Sequence, residues 1–145
     1  MMKSKGFTLI ELLAVIVILA IIALIATPIV LGIIEDSREN TNKVSAQYIV
    51  DMVEKAYSIA YTDNMGSTPT VEDISKAFKM SGAEWRVDED TGEQQIVSSN
   101  GEVVCSVDST TTSGELKVIC KDSEGNPFKD NDNKDIATET MEISQ

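Results

Sequence analysis

Between Gly6 and Glu35 the chain carries a single ionisable side chain, Glu11, and residues 12–34 are 23 consecutive uncharged and mostly apolar positions. At ~1.5 Å of rise per residue a helix of that length crosses a hydrocarbon layer of ~30 Å, so the stretch predicts a membrane span. Lys3 and Lys5 precede it, whereas Glu35, Asp36 and Glu39 follow. The positive-inside rule then places the first six residues in the cytoplasm and the bulk of the chain outside. The 117 residues outside 7–34 are about a third apolar, a lean supply for one modest domain.

The remaining composition excludes several kinds of chemistry. With 12 Lys+Arg against 24 Asp+Glu, a net charge of −12, the chain offers phosphates no broad basic face, and direct nucleic-acid binding is not expected. There is no histidine, which removes zinc hydrolases and Ser/His triads. Cys105 and Cys120 lack a C-x-x-C spacing, so neither a redox motif nor a four-ligand zinc site is available. No nucleophile and base pair stands out, and neither catalysis nor a cofactor is expected.

A secretory signal peptide would put small residues after the apolar region, and Ala23 and Ala26 could loosely serve. That reading leaves Glu11 unexplained. It lies four residues into the apolar run, where an unpaired carboxylate costs at least ~2.5 kcal/mol. Such a group is expected to have a partner; the alternative is a carboxylate that snorkels to the headgroups near the cytoplasmic face.

The junction Lys5-Gly6-Phe7-Thr8-Leu9-Ile10-Glu11-Leu12-Leu13, with Lys3 before it and the apolar stretch after it, resembles the class III leader of type IV pilins and their relatives the pseudopilins. The match runs from residue 3 to about residue 28. A lone Gly-Phe would mean nothing; a short basic leader, Gly, Phe, Thr and a Glu at fixed offset is highly specific. The resemblance implies that a prepilin peptidase cuts after Gly6 and methylates Phe7. It implies assembly roles for Phe7, Thr8 and Glu11, the last pairing with the amino terminus of the adjacent subunit, neutralising both charges and setting register. The physics agrees: cleavage creates a cationic amine beside an apolar helix, methylation leaves it charged, and Glu11 complements both the helix dipole and a neighbour's amine. The processed chain would have 139 residues, ten basic and 24 acidic, and a net charge of −14.

Four segments follow: a leader at 1–6, a transmembrane or filament-core half-helix at 7–34, an amphipathic second half at 35–62, and a head at 63–145. Pro28 and Gly32 are expected to break or kink the apolar helix, as a plain transmembrane kink or, by resemblance, as the place where pilin helices unwind in filaments. Val44, Tyr48 and Met52 together with Ile49, Val53, Ala56 and Ala60 recur at helical spacing, predicting one apolar face on a helix from about Thr8 to Tyr61. Arg38, Lys43, Asp51, Glu54 and Lys55 mark the opposite face.

Turn formers from Asp63 to Ser67 close that helix, and Thr70 with Asp73 marks the start of a short second one running to about Met80. The period then becomes alternating. Strands are expected at 83–88 and 94–98, with Asn100-Gly101 as a hairpin turn before Val103 and Val104. Val103, Cys105 and Val107 alternate onto one face, as do Leu116, Val118 and Cys120 across the loop containing Thr110 to Gly114. A hairpin symmetric about that loop sets Cys105 opposite Cys120. A disulfide there suits a non-hydrogen-bonded pair on the exported side of a membrane; two buried thiols are the alternative. Pilins often staple their carboxy-terminal region with a disulfide. Residues 138–144 predict a final edge strand with Met141 and Ile143 inward. The acidic stretch 129–135 superficially resembles a calcium loop, but Lys134 and Asp135 stand where an EF-hand wants an oxygen ligand and a Gly, and a solvated loop is expected.

The fold expected is α+β and pilin-like: a long amino-terminal helix, half transmembrane, packed on a small head with an antiparallel sheet of three to five strands. The function implied is that of a structural subunit, a major type IV pilin, supporting adhesion, twitching motility or biofilm formation. It would be a single-pass precursor in the cytoplasmic membrane, amino terminus in, and a cell-surface filament once assembled. Its partners would be membrane lipid before assembly, copies of itself, minor pilins, a prepilin peptidase, a membrane platform protein and an assembly ATPase. The rivals are a pseudopilin of a type II secretion or DNA-uptake machine, and a monomeric single-pass protein whose acidic head binds a ligand or cation.

Overall fold

The computed structural model describes residues 6–110 and 114–144; the leader lysines Lys3 and Lys5 and residues 111–113 of the expected hairpin loop lie outside them. The chain clusters into two compact units, Met1–Glu39 and Asn40–Gln145, and helix α1, Leu9–Asp63, contributes to both.

In the first unit α1 is long and apolar enough to cross a membrane, and its apolar side chains find no cover: Leu9, Leu24 and Ile33 are 85%, 80% and 63% exposed. The break expected at Pro28 and Gly32 is absent, for α1 continues through both. Proline at position 28 removes one amide donor and leaves the flanking turns bonded, and Thr27 Oγ1 donates to the Ala23 carbonyl at 2.7 Å one turn earlier. Gly32 has nothing within 4 Å of the place a Cβ would occupy.

In the second unit α1 buries Ala46, Ile49, Val50, Val53, Ala56 and Ala60. The buried face is narrower than the spacing predicts, because Val44 and Tyr48 are 70% and 53% exposed. Two neighbouring apolar stripes share the helical period, and the one with the small residues meets the sheet: Cys120 Sγ comes within 3.7 Å of the Ala46 carbonyl, an approach that a bulky residue in place of Ala46 would obstruct.

Helix α2, Val71–Ala77, opens on the expected cap. Asp73 N–H donates to Thr70 Oγ1, and Thr70 N–H and Oγ1 both donate to Asp73 Oδ2. It stops three residues before Met80, since Phe78 turns to an extended conformation and buries its ring edge-on to Trp85, centroids 5.7 Å apart.

The five strands β1 (Ala83–Val87), β2 (Gln94–Ser98), β3 (Val104–Thr110), β4 (Glu115–Lys121) and β5 (Met141–Glu142) lie in sequence order, every neighbouring pair antiparallel. Gly92 and Gly101 take the left-handed conformations that the β1–β2 and β2–β3 turns require. The register of β3 on β4 sets Cys105 against Cys120 and Val107 against Val118. Ile96, Val103, Cys105, Val107, Leu116, Val118 and Cys120 form the sheet's contribution to a core shared with α1, Ile74, Phe78, Phe128, Ile136 and Met141.

The edge strand expected over 138–144 shrinks to Met141–Glu142. Thr138 donates its amide to Val118 O at 2.9 Å, but Val118 N–H is taken by Thr138 Oγ1, a side-chain oxygen replacing the backbone carbonyl and shifting the ladder. Beside it Cys120 N–H donates to Ile136 O, Ile136 N–H to Phe128 O, and Phe128 N–H to Cys120 O. This closed ring of three bonds ties the irregular chain after β4 to the core.

The surface turns rest on carboxylates held in charged form. Asp73 is pulled below the usual range by the Thr70 hydroxyl and amide and by Asn64; Asp88 by the Thr91 amide and hydroxyl and the Asp90 amide; Asp122 chiefly by the Asn126 amide. Folded chains then bind fewer protons than unfolded ones across the acid range. The stabilisation is complete at neutral pH and is lost as pH falls through the lowered folded values. The melting temperature, followed by circular dichroism, should drop from about pH 5 downward, and Asp73→Asn should flatten part of that slope. At the core face, Ile49→Ala should cost ~2–5 kcal/mol, whereas Tyr48→Ala should stay within ~0.5 kcal/mol in denaturant titrations.

Candidate processing and assembly site

Residues 6–8 precede α1 in non-helical conformation. The Gly6–Phe7 peptide bond thus lies in open chain, with Phe7 87% exposed and nothing within 4 Å of a Cβ built on Gly6. A peptidase needs an accessible backbone outside regular structure, and residues 6–8 supply one.

Thr8 is the residue from which the helix starts: its carbonyl accepts the Leu12 amide at 3.2 Å. Glu11 reaches back to it. Thr8 N–H and Thr8 Oγ1 donate to Glu11 Oε2 at 2.9 and 2.8 Å, and Glu11 N–H approaches Thr8 Oγ1 at 3.4 Å. This is a capping box, in which a helix start satisfies its own donors reciprocally. Sequence reasoning placed Glu11 near the helix dipole but missed the box, although Thr-x-x-Glu is its signal. The structure therefore brings Thr8 and Glu11 together at the helix start, with Phe7 the residue before the cap. Both described bonds to the carboxylate fall on Oε2.

The residues Cys105 and Cys120 are joined by a disulfide, both fully buried. The pairing has the expected geometry: Cys120 turns its amide and carbonyl to Ile136 and Phe128, away from β3, so the two cysteines form a non-hydrogen-bonded pair. The stretch 129–135 closes on itself. Asp130 Oδ1 accepts the amides of Asp132 and Lys134, and Lys129 Nζ pairs with Asp135 at 2.9 Å. Among the described residues no group of three or more acidic, Cys or His side chains is placed to hold a metal ion.

A family model described as the prokaryotic N-terminal methylation motif matches residues 1–27. The chain carries that motif. It is typical of type IV pilins and pseudopilins, and the long α1 with its five-stranded antiparallel sheet is a pilin-like α+β fold. No curated protein and no solved structure matches the chain. The motif belongs to structural proteins that are processed and polymerised, and with an apolar amino-terminal helix it points to a membrane precursor.

Reducing the Cys105–Cys120 bond should add two hydrogens to the intact mass and destabilise the head by ~3 kcal/mol, the chain-entropy expectation for a closed loop of about 15 residues. Denaturant unfolding with and without reductant measures the difference.

Proposed function

We propose that this pilin-like protein is the major subunit of an extracellular type IV pilus. Cleavage after Gly6 exposes Phe7, methylation marks it, and copies pack through residues 7–34. The observation that carries the reading is the pairing of an uncovered apolar helix with one carboxylate at its capped start. Burial against like helices removes the apolar surface from both water and lipid. Glu11, oriented by Thr8, meets the amine of a neighbour's Phe7, so two charges that are costly apart in hydrocarbon are neutralised together. That meeting is possible at one axial offset between subunits, which gives the polymer its register.

A prepilin peptidase, a membrane platform protein and an assembly ATPase would serve the pathway, with minor pilins as accessory subunits. The precursor spans the cytoplasmic membrane with its amino terminus inside, and the filament stands on the cell surface, where it serves adhesion, twitching or biofilm formation.

Mass spectrometry of protein sheared from intact cells tests this directly. The expected result is a chain beginning at methylated Phe7; Glu11→Gln should still be processed in the membrane yet be depleted at least tenfold from the sheared fraction. A processed chain absent from the surface of unmodified cells would favour the pseudopilin, and an unprocessed chain with its leader intact would favour the anchored monomer.

A further inference from the structure

Strand β1 is an edge of the sheet, with β2 as its ladder partner. The parity of that ladder decides which backbone groups the edge leaves open. Asp88 N–H donates to Glu93 O, and Ser99 N–H donates to Gly82 O, each at 2.8 Å. In one antiparallel ladder with this register, residues 82, 84, 86 and 88 are then the ones whose amides and carbonyls face β2. The N–H and C=O groups of Ala83, Trp85 and Val87 point out of the sheet, and no described loop or cap bonds to them. Such an edge is a template for another strand.

The side chains select which strand. Glu84 and Arg86 are exposed on the face opposite Trp85, and neither makes an ion pair among the described residues. Open groups bond only to open groups, so a second β1 running antiparallel has three symmetric registers that engage more than one outward residue of each strand. Centred on Glu84, the pair sets Glu84 against itself; centred on Arg86, it sets Arg86 against itself. Centred on Trp85, it sets Glu84 of each copy against Arg86 of the other and engages all three outward residues of both strands. The charged pairs then occupy non-hydrogen-bonded positions, where facing side chains come closest, and Val87, 58% exposed, lies across from Ala83.

We propose that β1 pairs with β1 of a second copy of this chain, antiparallel about Trp85, joining two heads through one continuous sheet. Charges on an edge strand ordinarily discourage pairing; here Glu and Arg two residues apart reject strands without the complementary order and accept this one. The contact is isologous and closes on two copies, whereas a filament grows by a heterologous contact that propagates. It therefore goes beyond polymerisation and links heads laterally, between neighbouring filaments or between unassembled subunits.

The test uses the full processed chain in detergent. Under mild oxidation, Glu84→Cys mixed with Arg86→Cys should give cross-linked dimers, and each variant alone should give little. Glu84→Arg and Arg86→Glu should each weaken dimerisation about tenfold, and the double exchange should restore it, since two attractive pairs become repulsive and then attractive again. The melting temperature and the intact Cys105–Cys120 bond check that each variant is folded. Equal cross-linking by Glu84→Cys alone, dimers indifferent to the single reversals, or a monomer at all concentrations would overturn the proposal. Sheared filaments with heads that do not pair would sink the edge contact and leave the pilus reading standing; pairing heads without filaments would do the reverse.

Discussion

Residues 12–34 cannot stay in water, because each exposed methylene forgoes about 0.8 kcal/mol of burial, and no part of the described chain covers them. Every arrangement open to the protein has to supply that cover from outside, as lipid or as other copies of the same helix. Glu11 makes the two covers unequal. Lipid offers a carboxylate nothing but the cost of its charge, whereas in the proposed filament a neighbouring copy cleaved after Gly6 would offer an amine. The Thr8–Glu11 box keeps the carboxylate at the helix start in the single chain.

The head solves a different problem, that of building a core from few apolar residues. It uses small side chains on α1 so that the strands can approach closely, and a disulfide between adjacent strands beneath Ala46. Between β4 and β5 the chain lacks regular ladders, yet Phe128, Ile136 and Thr138 stay buried because their backbone groups bond to Cys120 and Val118. Polar atoms are thereby satisfied where secondary structure runs out. Asp73, Asp88 and Asp122 act locally, each holding a turn or a helix start through amide hydrogens.

Much was legible because it depends on neighbours in sequence. The apolar run, the methylation motif, the Thr70 cap and the turn at Asn100-Gly101 rest on periodicity and local hydrogen bonding, and the β3–β4 register followed from the symmetry of one hairpin. The misreadings arose where distant residues decided. Val44 and Tyr48 share the helical spacing of the core face yet stay outside it; α2 ends early to seat Phe78 on Trp85; β5 is cut short by the Thr138 hydroxyl.

The sequence by itself determined the membrane-length helix, the methylation motif and the hairpin register that sets Cys105 opposite Cys120, since each follows from residue spacing along the chain. Only the tertiary structure decided which stripe of α1 meets the sheet and which backbone groups of β1 stand open. Both depend on the placement of elements far apart in sequence, where packing volume and ladder parity choose among alternatives that local propensity leaves equal.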